Sequence, residues 1–408
     1  MIVWTSVVTD NRVLREATAL VDAGHQVHII GKDVPVEFVP PAGVTVESAS
    51  GSSALKRASG SATAQRMSVP VRAARWVLMP QHIAAAHRSW VDQARARVQP
   101  GTFDVIHAHD FTALPLAAEL AGQAGVPYVY DTHEYWYGRS PSGRPTPLRR
   151  RADRRTERAL GSAAAAVITV GDGIADQLKA DFGWDVTVVR NTFPENVAPA
   201  GATAPGSEVV PSAAPTGVVY AGRVGEHRDL EVVAKAAPLL APLRVTVVGP
   251  ADATFRSGFV GGSIELLDSL TVDGVTELLR SQGVALVTLA GRGENHRLAM
   301  PNKLFHAVHA GVPVVAANVE HLARIVTRYE LGTLYEPGDV DSLVAAVRDV
   351  VARYPLFVAG VRAAASELSW TRDAQRLVGV YAALATREPA RTREQSTTSL
   401  RPRQSGSR

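Results

Sequence analysis

The chain has 408 residues, 46% of them hydrophobic and 20% charged, an ordinary soluble composition with length enough for two domains. It contains no cysteine, which excludes disulfides, thiolate metal sites and cysteine nucleophiles. The net charge of +4 lies in the last segment, where six Arg face two Glu from Arg387 onward; the remaining body is neutral, so the basicity gives no argument for nucleic acid.

The first element, "MIVWTSVV", reads as an apolar strand, and the acid at Asp10 comes too early for the apolar stretch of a secretory signal. Nothing later reaches the ~18 consecutive apolar residues of a membrane span. The expectation is a cytoplasmic protein. "NRVLREATALVDAG" places Val13, Leu14, Ala17, Leu20 and Val21 at helical spacing, with Gly24 as its cap, and "HQVHIIG" follows as a strand. The same rhythm recurs in "DVIHAHD", "ALPLAAELAGQAG" and "PYVYDTHE", then in "AAAVITVG", a helix over about 172–181, and "DVTVVRNT". Strands apolar throughout, alternating with helices, predict an α/β chain with parallel sheets covered on both faces.

The Pro-, Gly- and Ala-rich stretch 198–216 reads as a linker between two domains. A second series runs through "VVYAGRV", "LRVTVVGP", "VALVTLAG", "PVVAAN" and "GTLYEP", and terminal helices are expected over about 341–353 and 357–385. The expected organisation is an N-terminal Rossmann-like domain over 1–197, a C-terminal one over 217–370, a closing helix over 371–386 and a disordered basic tail over 387–408. Two such domains leave a cleft between the carboxyl ends of their sheets.

Positive charge in the first half gathers in two places. Residues 54–100 carry eight basic residues and one acid, Asp92, and 139–158 carry eight Arg against Asp153 and Glu157. In the first, Arg72, Arg75 and Arg88 accompany Trp76, Leu78, Met79 and Trp90, a combination suited to an anionic membrane surface. The alternative is an apolar face turned to the core with solvated arginines. In the second, Asp153 and Glu157 are placed to pair with the arginines along the helix.

In "MPNKLFHAVHAGVPVV", Pro301 suits a first helical position, and Gly311 and Pro313 end the helix. The N–H groups of Asn302, Lys303 and Leu304 then face the cleft as an anion site, to which Lys303 adds a full charge. Arg223 and Arg228 leave the first strand of this domain, where two guanidinium groups can clamp a diphosphate.

These segments together resemble retaining glycosyltransferases of family 4. "GRVGEHRDLEVV" is similar to the family's GRLxxxKG segment with Arg228 in the lysine's place, and "PNKLFHAVHAGVPVVAANVEHLARIV" to its PNKLFEAxAAGxPVVA segment. "AAVITVGDGIADQL", "DNRVLREATALVDAGHQVHII", "PYVYDTHE" and "ELSWTRDAQRLVGVYAAL" extend the likeness from about residue 8 to 385. The resemblance implies a GT-B fold, two Rossmann-like domains facing a cleft. It also implies a UDP- or GDP-linked sugar as co-substrate without other cofactor, and a glycan or lipid-linked cell-envelope acceptor. Arg223 and Arg228 would stabilise the leaving diphosphate, and His133 would orient the acceptor hydroxyl near the donor sugar. Glu134, Asp10 and Arg12 fall on the acceptor side. His107 and His109 in "HAHD" are expected to be structural, bonded to neighbouring loops, and Asp110 to cap the following helix.

Two positions depart from the family pattern. His306 and Leu298 stand where relatives usually carry glutamates, one for the nucleotide ribose and one near the donor sugar. A neutral imidazole accepts one hydrogen bond and cannot chelate a diol. Glu294, Asn295 and His296 are further candidates for sugar contacts. His306 and His309 lack a third metal ligand, so no metal is expected. The alternatives to a glycosyltransferase are a non-catalytic binding protein on the same fold, for which His306 and Leu298 speak, and a sugar-nucleotide epimerase, with Glu134 and Glu294 as its obvious carboxylates. Peripheral contact at the inner membrane face is expected through residues 54–100.

Overall fold

The computed structural model describes residues 1–50, 69–99, 101–138, 147–194, 214–225, 228–251, 262–291 and 293–386. Most of the expected linker, the whole of the basic tail, and the side chains of Arg72, Arg75, Trp76, Leu78 and Met79 lie outside the described residues.

The first sheet comprises β1 (Ile2–Val3), β2 (Val27–Lys32), β3 (Val44–Ala49), β4 (Ile106–His109), β5 (Tyr128–Thr132), β6 (Ala166–Thr169) and β7 (Val186–Val188). Their order is β3-β2-β1-β4-β5-β6-β7, with every pair parallel. The crossovers include α1 (Asn11–Asp22), α2 (Val69–Arg97), α3 (Asp110–Ala124), α4 (Pro147–Ala163) and α5 (Asp172–Phe182). All four residues of β4 and all five of β5 are buried, as central strands covered on both faces require. The order reverses between β1 and β4, so the loops leaving their carboxyl ends diverge and open a crevice. Asp10 sits at that edge as the N-cap of α1, its carboxylate accepting from the Val13 N–H and the Thr5 hydroxyl.

The second sheet comprises β8 (Gly217–Ala221), β9 (Arg244–Val248), β10 (Ile264–Leu267), β11 (Gly283–Val287), β12 (Val314–Ala317) and β13 (Gly332–Tyr335). Their order is β10-β9-β8-β11-β12-β13, again parallel, with a switch between β8 and β11. The helices that follow among the described residues are α6 (Leu230–Ala236), α7 (Val272–Gln282), α8 (Glu294–Leu298), α9 (Asn302–Ala310), α10 (Glu320–Arg328), α11 (Val340–Ala352), α12 (Tyr354–Ala364) and α13 (Trp370–Ala385).

The long terminal helix expected over 357–385 is two helices. The chain breaks between α12 and α13 because it crosses back to the first domain there. Ser369 caps α13, accepting from the Arg372 N–H at 3.4 Å, while Trp370 N–H donates to the Phe193 carbonyl at 2.7 Å. Leu377 and Tyr381 of α13 then join Val3, Val13, Leu20 and Ile29 in one buried cluster of the first domain.

Of the residues named for a membrane face, Arg88 and Trp90 have described side chains. Trp90 is fully buried, edge-on to Trp4 at 5.2 Å, so it serves the core, while Arg88 is exposed. In α4, Arg149 pairs with Asp153 at 2.9 Å as expected. Among the described residues Glu157 has no arginine partner. It is buried, accepts from the Tyr130 hydroxyl at 2.7 Å, and burial pushes its carboxyl up to about 7.

Candidate active site

The floor of the cleft on the first domain is a polar cluster built from three elements. α1 brings Arg12 and Glu16, β4 brings His107 and His109, and β5 with its following residue brings Asp131 and His133. All but His133 are buried. Arg12 bridges two carboxylates, with Nε 2.7 Å from Glu16 Oε1 and Nη2 2.6 Å from Asp131 Oδ1. Burial opposes ionisation of Asp131, yet Arg12 and His133 hold its carboxyl well below the usual range. Arg12, placed on the acceptor side by its motif, is therefore spent inside the floor and unavailable to a substrate.

His133 lies above this cluster with its side chain 18% exposed. Its Nε2 is 3.2 Å from both Asp131 Oδ2 and His109 Nδ1, and its Nδ1 is 3.5 Å from Asp110 Oδ2. Burial opposes its protonation, but the Asp110 and Asp131 carboxylates push it up to about 9. The ring is thus an imidazolium held between two acids at neutral pH. Asp110 has no capping bond in α3; it takes a positive φ of 65° and accepts from the His133 main-chain N–H at 3.0 Å. His107 and His109 are bonded to side chains rather than loops, His107 to the Tyr381 hydroxyl at 2.8 Å and His109 to His133.

On the second domain, a cavity of about 400 Å³ is lined by Phe193, Ala221, Gly222, Arg228 and the run from Met300 to Lys303, with His306. Pro301 is the N-cap of α9 in extended conformation rather than its first helical residue. The N–H of Leu304 is already donated to the Pro301 carbonyl at 3.0 Å and its side chain is buried in the core, so the open helix start consists of Asn302 and Lys303. Lys303 runs past Gly222, whose φ of +149° and missing Cβ make room: a Cβ would stand 2.8 Å from Lys303 Cε. The Lys303 ammonium lies 4.8 Å from the centre of the Tyr220 ring. Burial, and then the neighbouring Arg228, lower its amine to about 7.

The expected pair of arginines is not brought together at this cavity. Arg228 lines it, whereas the Arg223 side chain is exposed and absent from the described lining. The two cations converging there are Arg228 and Lys303. A larger groove of about 920 Å³ runs between α1 and α13 past Arg15, Phe193 and Trp370, but holds none of the expected chemistry-bearing residues.

His306 is locked by Thr276. The Thr276 hydroxyl donates to the Val272 carbonyl at 2.9 Å, so its oxygen accepts from His306 Nε2, also at 2.9 Å. That assignment leaves Nδ1 as a lone-pair acceptor. Burial, with His309 nearby, lowers the ring to about 4 and keeps it neutral. Phe193 stacks on its face, centroids 4.5 Å apart. Thr276 carries no motif, and Phe193, which ends the family-like segment "VTVVRNTF", gave no sign of its contact with His306 because the two are far apart in sequence.

The helix α8 meets the first domain. The Asn295 amide donates to Glu134 Oε2 at 3.2 Å, and Arg297 reaches Gln177 at 3.2 Å as well as Glu320 at 2.8 Å. Leu298 is buried in the apolar cluster that contains Phe111 and Tyr135 of the first domain. Glu294 is exposed and ion-pairs with Arg297, while His296 is half-buried.

Comparison with known proteins matches residues 9–192 to the glycosyl transferase 4-like domain and residues 215–353 to the glycosyl transferases group 1 domain. D-inositol 3-phosphate glycosyltransferase of Geodermatophilus obscurus is 26% identical over 317 residues, 71% of this chain and 68% of that protein. Glycogen synthase of Mycobacterium tuberculosis is 26% identical over 296 residues, 69% of each. Among solved structures, sucrose-phosphate synthase of Thermosynechococcus elongatus superposes with a TM-score of 0.66 at 16% identity, over 94% of this chain and 98% of that one. Anabaena HepE in complex with UDP-glucose superposes with a TM-score of 0.62 at 14% identity, over 94% and 99%. The fold is GT-B.

Proposed function

We propose that this chain, a glycosyltransferase of the GT-B fold with a glycosyl transferase 4-like domain followed by a group 1 domain, seats its sugar nucleotide with the diphosphate against Arg228, Lys303 and the start of α9. The single observation that carries this placement is the convergence of two cations and an open helix start on one cavity whose described lining contains no carboxylate. Negative charge grows on the diphosphate as the glycosidic bond breaks, and fixed cations act most strongly on charge that develops in the transition state. A lining of this chemistry neutralises the leaving group without a divalent metal. Retention of the anomeric configuration is part of the same reading and comes from the resemblance to family 4.

His306 Nδ1 serves as a single acceptor for one ribose hydroxyl, and His133 contributes a fixed positive charge at the cleft floor. Arg223, exposed at the end of β8, reaches the diphosphate only if its side chain turns inward on binding. The acceptor is a glycan or a lipid-linked cell-envelope precursor, approached from the first domain, with Asp10 and Glu134 at that edge. The exposed arginines of α4 and Arg88 of α2 offer an anionic membrane surface a peripheral contact at the cytoplasmic leaflet. No helix among the described residues is long and apolar enough to cross a membrane. The related proteins named above are enzymes, which gives the binding-protein and epimerase alternatives no support.

The test is a calorimetric titration with UDP and with GDP, repeated on Arg228→Ala and Arg223→Ala. Binding of one nucleotide that weakens at least tenfold in Arg228→Ala supports the placement and selects the base. Binding indifferent to both substitutions, or absent at millimolar nucleotide, sinks it.

A further inference from the structure

We propose that Glu16, His107, His109 and Asp131 form a binding site for one divalent transition-metal ion of the zinc class, buried beneath the cleft floor of the first domain. The site shares no residue with the donor cavity and stands independently of the reading given for that cavity.

The four side chains are between 0% and 1% exposed, and each offers one ligand atom such that all four atoms lie within 4.8 Å of one another. His107 Nε2 is 3.6 Å from Asp131 Oδ2 and 3.8 Å from Glu16 Oε2, and His109 Nδ1 is 3.3 Å from Asp131 Oδ2. Tetrahedral ligands at about 2.1 Å from zinc stand roughly 3.4 Å apart; the three edges given are close to that, and the widest separation, within 4.8 Å, has to close as the ion binds. Two imidazoles with two carboxylates suit zinc, cobalt or nickel better than calcium or magnesium.

Three of the four side chains have the outer bonds that metal ligands require, while His109 Nε2 is buried without a partner. Each carboxylate has its far oxygen held by Arg12, Glu16 through Oε1 and Asp131 through Oδ1, which turns Oε2 and Oδ2 inward. His107 has its far nitrogen, Nδ1, bonded to the Tyr381 hydroxyl, which leaves Nε2 for the centre. Second-shell bonds of this kind fix the orientation of ligating side chains. Meanwhile Glu16 Oε2 and His107 Nε2 are shut off from solvent without a hydrogen-bond partner. Buried polar atoms are seldom left so, and a cation between them satisfies both at once. His133 Nε2 lies 3.2 Å from Asp131 Oδ2 and from His109 Nδ1, the same atoms the ion needs, so the ring turns away from both when the ion enters. The ion ties α1, β4 and β5 together and replaces His133 as the partner of those two atoms.

The experiment uses the untagged full chain, stripped with chelator and dialysed against Co2+ or Zn2+. Metal content is read by mass spectrometry, and the cobalt form by its visible spectrum. The expected result is close to one equivalent per chain, intense bands of four-coordinate cobalt, and a melting midpoint raised by several degrees with zinc. Glu16→Gln and His107→Gln are expected to retain less than a tenth of an equivalent, whereas His28→Ala, at the exposed position of β2, retains all of it. Should either floor variant fail to fold by circular dichroism, anomalous diffraction of the native zinc form decides: a peak among the four residues supports the site. Less than a tenth of an equivalent in the native protein, a buried water alone at the centre, or metal bound equally by both variants overturns the proposal.

Discussion

Glu134 and Asn295 are hydrogen-bonded partners across the two domains, the Asn295 amide donating to Glu134 Oε2 at 3.2 Å. One follows β5 of the first sheet and the other lies in α8 of the second domain, so the pair measures how closely the halves approach. A neutral-to-charged bond of this kind contributes about 1 kcal/mol net, enough to shift a closed-to-open ratio about fivefold. Asn295→Ala should therefore enlarge the radius of gyration in small-angle scattering, and nucleotide should restore it. An unchanged scattering profile would mean that the remaining contacts between the halves, Leu298 among first-domain residues and Arg297 with Gln177, already hold them together.

With the diphosphate placed against Lys303 as proposed, nucleotide binding acquires a pH dependence. The Lys303 amine, lowered to about 7, is partly neutral in the free protein, and a bound diphosphate raises it again. Binding at pH 8 should take up close to one proton, and affinity should fall up to tenfold per unit above pH 7. Calorimetry in two buffers of different ionisation heat reads the proton directly. Lys303→Arg, charged throughout, should bind with a nearly flat profile; equal slopes for both proteins would remove Lys303 from the contact.

With the nucleotide placed as proposed, His306 gives the ribose one acceptor where a carboxylate gives two. His306→Glu is expected to tighten ribonucleotide binding by about tenfold, on the order of 1–2 kcal/mol. The gain should vanish with a 2′,3′-dideoxy nucleotide. A loss of affinity instead would show that the Phe193 stack and the Thr276 bond matter more than the acceptor count.

Glu157 bears on stability rather than on chemistry. Its folded carboxyl, at about 7, holds a proton more tightly than the unfolded one at 4.5. This contribution is fully favourable below the unfolded value and is lost as pH rises through about 7. Glu157→Gln keeps an acceptor for Tyr130 and should melt higher than the parent at pH 8, by on the order of 2 kcal/mol, with little difference at pH 4. Equal midpoints at pH 8 would refute it.

At Gly222, a side chain meets two obstacles, the φ of +149° and the Lys303 stem. Gly222→Ala should cost roughly 1–3 kcal/mol of stability and displace Lys303, weakening nucleotide binding while Gly24→Ala, with open space around it, does not.

The parallel sheets were legible because central strands covered on both faces are written as unbroken apolar runs, such as "VVYA" and "VVAA". The edge strands β3 and β10, only partly buried, carried a weaker pattern and were missed. The boundary near Ser369 was legible from the segment "ELSWTRDAQRLVGVYAAL", which set a closing helix over 371–386, whereas periodicity alone ran the helix on from 357 because both flanking helices have apolar faces. Site residues were legible as types rather than as partners. Arg12 announces a cation, but only the fold places Asp131 beside it, 119 residues on. Arg223 and Arg228 are equivalent on paper, and the turn after β8 sends one outward and one inward. Glu16 carried no signal at all, since a glutamate inside an amphipathic helix normally faces water.

The return of α13 to the first domain has a consequence for how the protein is made. When the ribosome has delivered residue 194, every strand of the first sheet exists, yet Leu377 and Tyr381, which close the seam over Val13, Leu20 and His107, have still to be synthesised. The domain encoded first is thus completed last, after the whole of the second. Through that interval its open seam is exposed apolar surface, the kind of target that chaperones recognise on nascent chains.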